Sequence, residues 1–268
     1  MNFDAPFAIP SDWQLDTNAL RGRVILITGA TGTLGRVAAH AAVAAGATVV
    51  LHGRHEARLN AIYDALEAEG ANNHATVMLD LAKANEQDYR GLAETVFATY
   101  RRLDGIVHAA SHIAPLAPIT MQDLAAWQAH TTVNTHAPLA ITRACWPMLK
   151  RAQSAQVVFL GEHHALKPQA WWGAYATSKA ALGFAVNLWQ DEIGDADATR
   201  LYWYIPGPVA SQSRSVTHPG EMAESLPAAP SLSRDFTLML AGDARLPRTA
   251  ALGPAKSAPL RPASQDLT

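Results

Sequence analysis

Six short apolar runs rich in β-branched residues recur through this chain, at Val24 to Thr28, Ala47 to Leu51, Ala75 to Leu79, Gly105 to His108, Val157 to Leu160 and Leu201 to Ile205. Ala- and Leu-rich stretches of helical length separate them, at 34 to 45, 56 to 69, 86 to 101, 122 to 151 and 174 to 193. An apolar run without polar alternation is a strand covered on both faces. Strands joined by helix-length crossovers pair in parallel, because only a long connection returns the chain to the same end of a sheet. The pattern predicts one doubly wound α/β domain, a parallel sheet of six to seven strands with helices on both faces. A length of 268 residues suits one such domain better than two.

The two ends read differently. Residues 1 to 21 hold no sustained period and form an N-terminal arm, either anchored through Phe7 and Trp13 or loosely held. Residues 22 to 205 carry the regular pattern. After Pro206 come some 25 residues rich in Pro, Ser, Ala and His, then a helical candidate at Ser231 to Ala241 and a Pro-rich tail with a poor edge strand near Thr249 to Leu252. Residues 206 to 268 are therefore expected to be a substrate loop or lid and C-terminal segment of the same domain, the other reading being a disordered terminus. A lid there would lie at the carboxyl edge of the sheet, where open α/β sheets bind ligands.

The first strand runs into Thr28-Gly29-Ala30-Thr31-Gly32-Thr33-Leu34-Gly35 and then into an Ala-rich helix. A glycine-rich turn at that place presents helix N–H groups and the positive dipole end to a pyrophosphate, the device of Rossmann-type dinucleotide sites. Gly29 serves the tight turn, Gly32 lets the backbone approach the ligand, and Gly35 lets helix and strand pack closely. The second strand is followed by Arg54, 54 − 35 = 19 residues beyond the last glycine, where an NAD site carries an acidic residue. A guanidinium there pairs with a 2′-phosphate, so NADP(H) is favoured over NAD(H); a solvated arginine is the plainer reading. Asp80, ending the third strand, either accepts from an adenine amino group or caps a helix.

About 145 residues beyond the turn stand Tyr175 and Lys179. On a helix, positions i and i+4 share a face. An ammonium beside a phenol stabilises the phenolate and brings its ionisation, ordinarily near pH 10, toward working pH. Such a pair can give or take a hydroxyl proton while hydride passes to or from a nicotinamide.

These features, with Gly53-Arg54, Asp80-Leu81, Leu103-Asp104-Gly105, Val133-Asn134, Trp172-Gly173-Ala174-Tyr175, Ser178-Lys179 and Pro206-Gly207-Pro208-Val209, resemble in order and over nearly the whole length the short-chain dehydrogenase/reductase family, in particular its YciK-like branch. The resemblance implies an oxidoreductase acting on a small carbonyl or alcohol. It makes Tyr175 the catalytic acid and base, Lys179 the residue that binds the nicotinamide ribose and tunes the tyrosine, and Asn134 the holder of a relay water. It places Thr31, Thr33, Leu34, Leu81, Ala109, Ala110, Pro206, Gly207 and Val209 against the cofactor, beside the three glycines, Arg54 and Asp80. Relatives pair the Tyr175 helix across a two-fold axis, which implies a homodimer or homotetramer. The small residues Ala176, Ala180 and Gly183 on that helix fit such a pairing or an internal contact equally.

Three positions depart from the family pattern. Thr33 stands where the main branch has glycine, and His108-Ala109-Ala110-Ser111 replaces Asn-Asn-Ala-Gly, which puts a side chain at the last position. The family serine that bonds the substrate oxygen lies about thirteen residues before the tyrosine, and position 175 − 13 = 162 is Glu162. An ionised glutamate repels a developing alkoxide. Either Glu162 is kept protonated, or His163 donates instead, or the substrate needs no donor. The alternative function is a catalytically impaired nucleotide-binding protein of the same fold, a sensor or scaffold.

Composition narrows the rest. With 21 basic against 23 acidic side chains, a net charge of −2 argues against nucleic acid and anionic membrane as partners and leaves small molecules. No apolar run approaches the roughly 18 residues of a membrane span, Met1 to Arg21 lacks a basic-then-apolar leader, and Cys145 is the single cysteine, so a cytoplasmic location is expected. Glu162, His163 and His164, or His108 and His112, lack the helical pairing plus third ligand of zinc enzymes, so no metal is expected. Trp171 and Trp172 are either core or the wall of an aromatic pocket.

Overall fold

The computed structural model describes residues 5–13, 16–69, 73–248 and 251–255. Eight strands form one sheet: β1 Phe7–Ile9, β2 Val24–Thr28, β3 Thr48–Gly53, β4 Ala75–Met78, β5 Gly105–His108, β6 Gln156–Leu160, β7 Arg200–Tyr204 and β8 Leu252–Pro254. Their spatial order is β1-β8-β7-β6-β5-β2-β3-β4, and every pairing is parallel. The expected six to seven strands become eight. The edge strand expected near Thr249 to Leu252 forms as β8 at Leu252–Pro254, and β1, too short to carry a period, pairs with it unannounced by the sequence. The arm is thus tied down through Phe7–Ile9, whereas the part of the expected C-terminal edge strand at 249–250 lies outside the described residues.

Helices α1 Thr33–Ala44, α2 Glu56–Ala68 and α8 Ser233–Ala241 supply one face, and α3 Glu86–Tyr100, α5 Ala137–Leu149 and α6 Gly173–Ile193 the other. The core is accordingly two apolar layers. Ile25, Ile27, Leu51, Val107 and Val158 point into one, and Leu26, Val50, Ile106, Val157 and Phe159 into the other, the period-two alternation of a strand covered on both sides. A buried carboxylate fixes the start of the central pair: Asp104 accepts from the Val24 N–H at 2.8 Å and is held by Arg102.

One expected helix is not continuous. The stretch 122 to 151 is divided into α4 Leu124–Thr131, a π-helical turn Thr132–His136 and α5. The turn contains Asn134. Pi-helical turns of this kind occur mostly at functional sites. Between β7 and α8 the chain forms α7 Gln212–Thr217 and two 3-10 turns, Ala223–Ser225 and Ala229–Leu232. Among the described residues no helix is long and apolar enough to cross a membrane.

Candidate active site

Strand order reverses between β2 and β5, where Thr28 lies beside His108. Loops leaving the carboxyl ends of these two strands travel in opposite directions, and the gap between them is the ligand crevice of such sheets. A cleft of about 590 Å³ opens there. It is lined at one end by Gly29, Thr31, Gly32, Thr33, Leu34, Arg54, Asp80 and Leu81, in the middle by Ala109 and Ala110, and at the other end by Glu162, Trp172, Tyr175, Lys179, Pro206, Gly207 and Val209. Gly35 and Asn134 lie behind this lining and support it.

The glycines have separate duties. Gly29 adopts φ +63°, and a Cβ on it would lie 2.5 Å from the Ala110 backbone. At Gly35 a Cβ would stand 2.2 Å from the Gly29 carbonyl oxygen. Neither position accepts a side chain, since backbone cannot yield by that much. Gly32 is the N-cap of α1 and contributes no side-chain cap, and the first turn of α1 has no acidic residue. Its N–H groups therefore remain open toward the cleft. Arg54 is exposed just beyond β3, and Arg58, one helical turn further on, lines the same end. Arg58 was not singled out from sequence, although its i, i+4 spacing from Arg54 was the signal available. Asp80 accepts from the Ala82 N–H at 3.2 Å and so caps a local turn while lining the cleft.

At the other end, α6 is fastened at both sides of its first turns. Gln122 accepts from the Ala174 N–H at 2.8 Å through its side-chain oxygen, and its amide group donates to the Ala117 carbonyl at 2.7 Å. Ser178 donates to the Tyr175 carbonyl at 2.7 Å and accepts from Asn134 Nδ2 at 3.0 Å. Lys179 is buried and donates from Nζ to the Leu160 carbonyl at 2.9 Å, which places its ammonium 5.9 Å from the Tyr175 ring centre. Sequence spacing and structure therefore agree that the phenol and the ammonium share one face.

Asn134 is buried in the π-helical turn and ties two elements together. Its Oδ1 accepts from Ser111 Oγ at 3.1 Å and from the His112 N–H at 2.7 Å, and its Nδ2 donates to the His112 carbonyl and to Ser178. Two lone pairs and two N–H groups are all an amide offers. These bonds make the side chain a brace between the loop after β5 and α6. Ser111, noted from sequence only as a departure, has one hydrogen to give, to Asn134 Oδ1 or to the Tyr175 phenol, and in the second orientation it favours the phenolate. That juxtaposition joins residues 64 positions apart (175 − 111), and no local pattern announces it.

Glu162 is ionised. Burial pushes its carboxyl up, but the His164 ring and backbone bonds and the Lys179 charge outweigh burial and hold it below the ordinary range. Oε1 accepts from His164 Nδ1 at 2.9 Å and from the His164 N–H at 3.4 Å. Of the ways of replacing the absent serine, these bonds work against a protonated Glu162. Its charge has consequences on both sides. Burial first and Glu162 second raise the Tyr175 phenol above its usual value, and burial lowers the Lys179 ammonium to about 8 against a smaller raising effect of Glu162.

The remaining candidates separate cleanly. Trp172 is buried and lines the cleft, with the His164 ring stacked on it at 3.8 Å, whereas Trp171 is 61% exposed. His108 faces Thr142 at 2.8 Å, and burial lowers it to about 3, so it is a neutral packing residue. Gly183 admits the Trp203 indole, which would lie 2.5 Å from a Cβ, so this member of the small-residue stripe serves an internal contact. Among the described residues no group of three or more His, Cys, Asp or Glu is placed to hold a metal ion.

Comparison with known proteins gives one consistent result. The short chain dehydrogenase family model matches residues 23–221. The chain is 29% identical over 233 residues to an uncharacterized oxidoreductase, YciK, of Escherichia coli K12, covering 87% of this chain and 92% of that protein. A short chain dehydrogenase structure from Pseudomonas syringae superposes with a TM-score of 0.87 at 33% identity, over 93% of this chain and 99% of the other. A short chain dehydrogenase from Escherichia coli CFT073 in complex with NADPH superposes with a TM-score of 0.85 at 28% identity, over 89% and 99%.

Proposed function

This chain belongs to the short chain dehydrogenase family, and from that membership we propose that it moves hydride between NADP(H) and a small carbonyl or alcohol, with Tyr175 as acid and base. The observation that carries the reading is that the glycine-rich turn, Tyr175 and Lys179 line one continuous cleft. The residues present suit a dinucleotide. Open N–H groups at the start of α1 suit a diphosphate, while Arg54 and Arg58 suit a 2′-phosphate better than a ribose hydroxyl. Asp80, Leu81, Ala109, Ala110 and the Pro206–Val209 turn line the path between the two ends.

When bound, the nicotinamide supplies the hydride donor or acceptor. The protein's part is positioning and proton movement. In reduction, the Tyr175 O–H gives its proton to the substrate oxygen, and the buried Lys179 ammonium with the Ser111 hydroxyl steadies the phenolate that remains. Oxidation runs the same proton backward. Asn134 holds Ser111 and Ser178 in register with the phenol.

The test begins with calorimetric titration of NADPH against NADH, followed by NADPH oxidation across a carbonyl panel with Tyr175→Phe as control. Unchanged turnover in that variant overturns the mechanism. The ionised Glu162 also motivates a second reading, a nucleotide-binding protein with little catalysis, because one lost oxyanion donor costs about 10²- to 10³-fold. Glu162→Ser separates the two: a large gain in reduction marks an impaired site, and a loss marks a role for Glu162. Assembly as a homodimer or homotetramer is part of the reading, and Phe184 and Leu188 give α6 an exposed apolar face for it.

A further inference from the structure

The carboxylate at position 162 is half used. Both of its hydrogen bonds fall on Oε1. Oε2 takes none from the described residues, although the side chain is only 23% exposed and faces the cleft that holds Tyr175. No nearby cation bonds it directly. Lys179 donates to Leu160 and acts on Glu162 only through its charge, and Arg214 on α7 is closed onto Glu221 by two bonds of 2.5 and 2.8 Å. His218, whose ring lies 5.9 Å from Trp172, is lowered by burial. Water can meet this oxygen while the cleft is empty, and a ligand that displaces that water must supply a donor in its place or leave the carboxylate unsatisfied.

We propose that Glu162 selects substrates bearing an ammonium group on the carbon next to the reacting one, namely vicinal amino alcohols and the corresponding α-amino ketones. The inference rests on the hydride-transfer reading and names its substrate class. An ammonium has three N–H groups. One meets Oε2, and in a vicinal compound a second reaches the reacting oxygen, so the substrate brings the donor that the site lacks. The Trp172 and Tyr175 rings, 5.9 Å apart, give the cation aromatic walls. A neutral substrate receives only the repulsion. In oxidation the C–H bond breaks with its electron pair passing to NADP⁺, the O–H proton goes to the Tyr175 phenolate, the C=O bond forms, and the ammonium is unchanged.

The experiment compares 2-amino-1-phenylethanol with 1-phenylethane-1,2-diol, with NADP⁺, in the native protein, Glu162→Gln and Glu162→Ser. Hydrogen bonds to charged groups are worth roughly 10- to 100-fold. The native protein is expected to prefer the amino alcohol in kcat/KM by that factor, Glu162→Gln to lose most of the preference, and Glu162→Ser to gain on the diol. Equal use of the two alcohols, or a preference that survives Glu162→Gln, overturns the proposal and leaves the oxidoreductase reading standing. Turnover of neither by any form, with NADP⁺ bound and with no NADPH oxidation across the carbonyl panel, removes the oxidoreductase reading. Calorimetry then decides the Glu162 proposal by itself: the amino alcohol must bind the NADP⁺ complex of the native protein at least tenfold more tightly than that of Glu162→Gln, and equal binding overturns it.

Discussion

Lys179 is a charge kept where charge is expensive, and the expense should be measurable in the protein without cofactor. Its ordinary value of 10.5 falls to about 8, chiefly through burial. A group depressed on folding lets the unfolded chain bind more protons in the interval between the two values, so stability rises with pH across that interval. Well below pH 8 the full cost applies, about 3 kcal/mol for a fall from 10.5 to about 8. At pH 10 about 1 kcal/mol of it remains. Lys179→Met removes the titrating group, together with its bond to Leu160. The lost bond shifts the stability difference by an amount that does not depend on pH. The pH-dependent part survives in the comparison, and other titrating tyrosines and lysines cancel between the two proteins. Urea unfolding at pH 7 and pH 10 should therefore show the native protein gaining about 2 kcal/mol on the variant as pH rises. A difference flat to within about 0.5 kcal/mol would mean that the ammonium is hydrated, and would refute the claim that burial tunes it.

Two further perturbations probe the ends of the cleft. Gly35→Ala sets a Cβ 2.2 Å from the Gly29 carbonyl oxygen, so NADPH affinity should fall at least tenfold in a calorimetric titration; retention of binding would show that the turn is not the diphosphate seat. Ser111→Ala removes the neighbour that favours the Tyr175 phenolate. The acid limb of the pH profile for alcohol oxidation should then move up by about one pH unit, the scale of one hydrogen bond, with Ser111→Thr restoring it, whereas a merely structural serine would lower rate without moving the limb.

Much of the fold was legible because a buried parallel strand needs an unbroken apolar run, and a crossover helix needs length. Both requirements leave marks in order along the chain. Of the two three-residue edge strands, Phe7–Ile9 left none, being shorter than any period, while Leu252–Pro254 was legible only as a poor edge strand with displaced bounds. The 122 to 151 stretch misled for a different reason. A π-helical turn keeps helical composition and only its hydrogen-bond pattern differs, so Asn134 gave no sign that it interrupts the helix. At the site, glycine positions, the Tyr175 and Lys179 spacing and the Glu162 substitution could be read directly. Arg58 could have been found from its spacing to Arg54.

What the sequence determined by itself was local: periodicity, the turn that opens α1, and which side chains share the α6 face. These depend on bond geometry within a few residues. Tertiary structure alone decided the bonds that favour an ionised Glu162, the bracing of two elements by Asn134 and the approach of Ser111 to the phenol. Each depends on partners from separate elements and on how much water the packing excludes. Electrostatic energies change severalfold with that exclusion, and no reading of neighbours along the chain contains it.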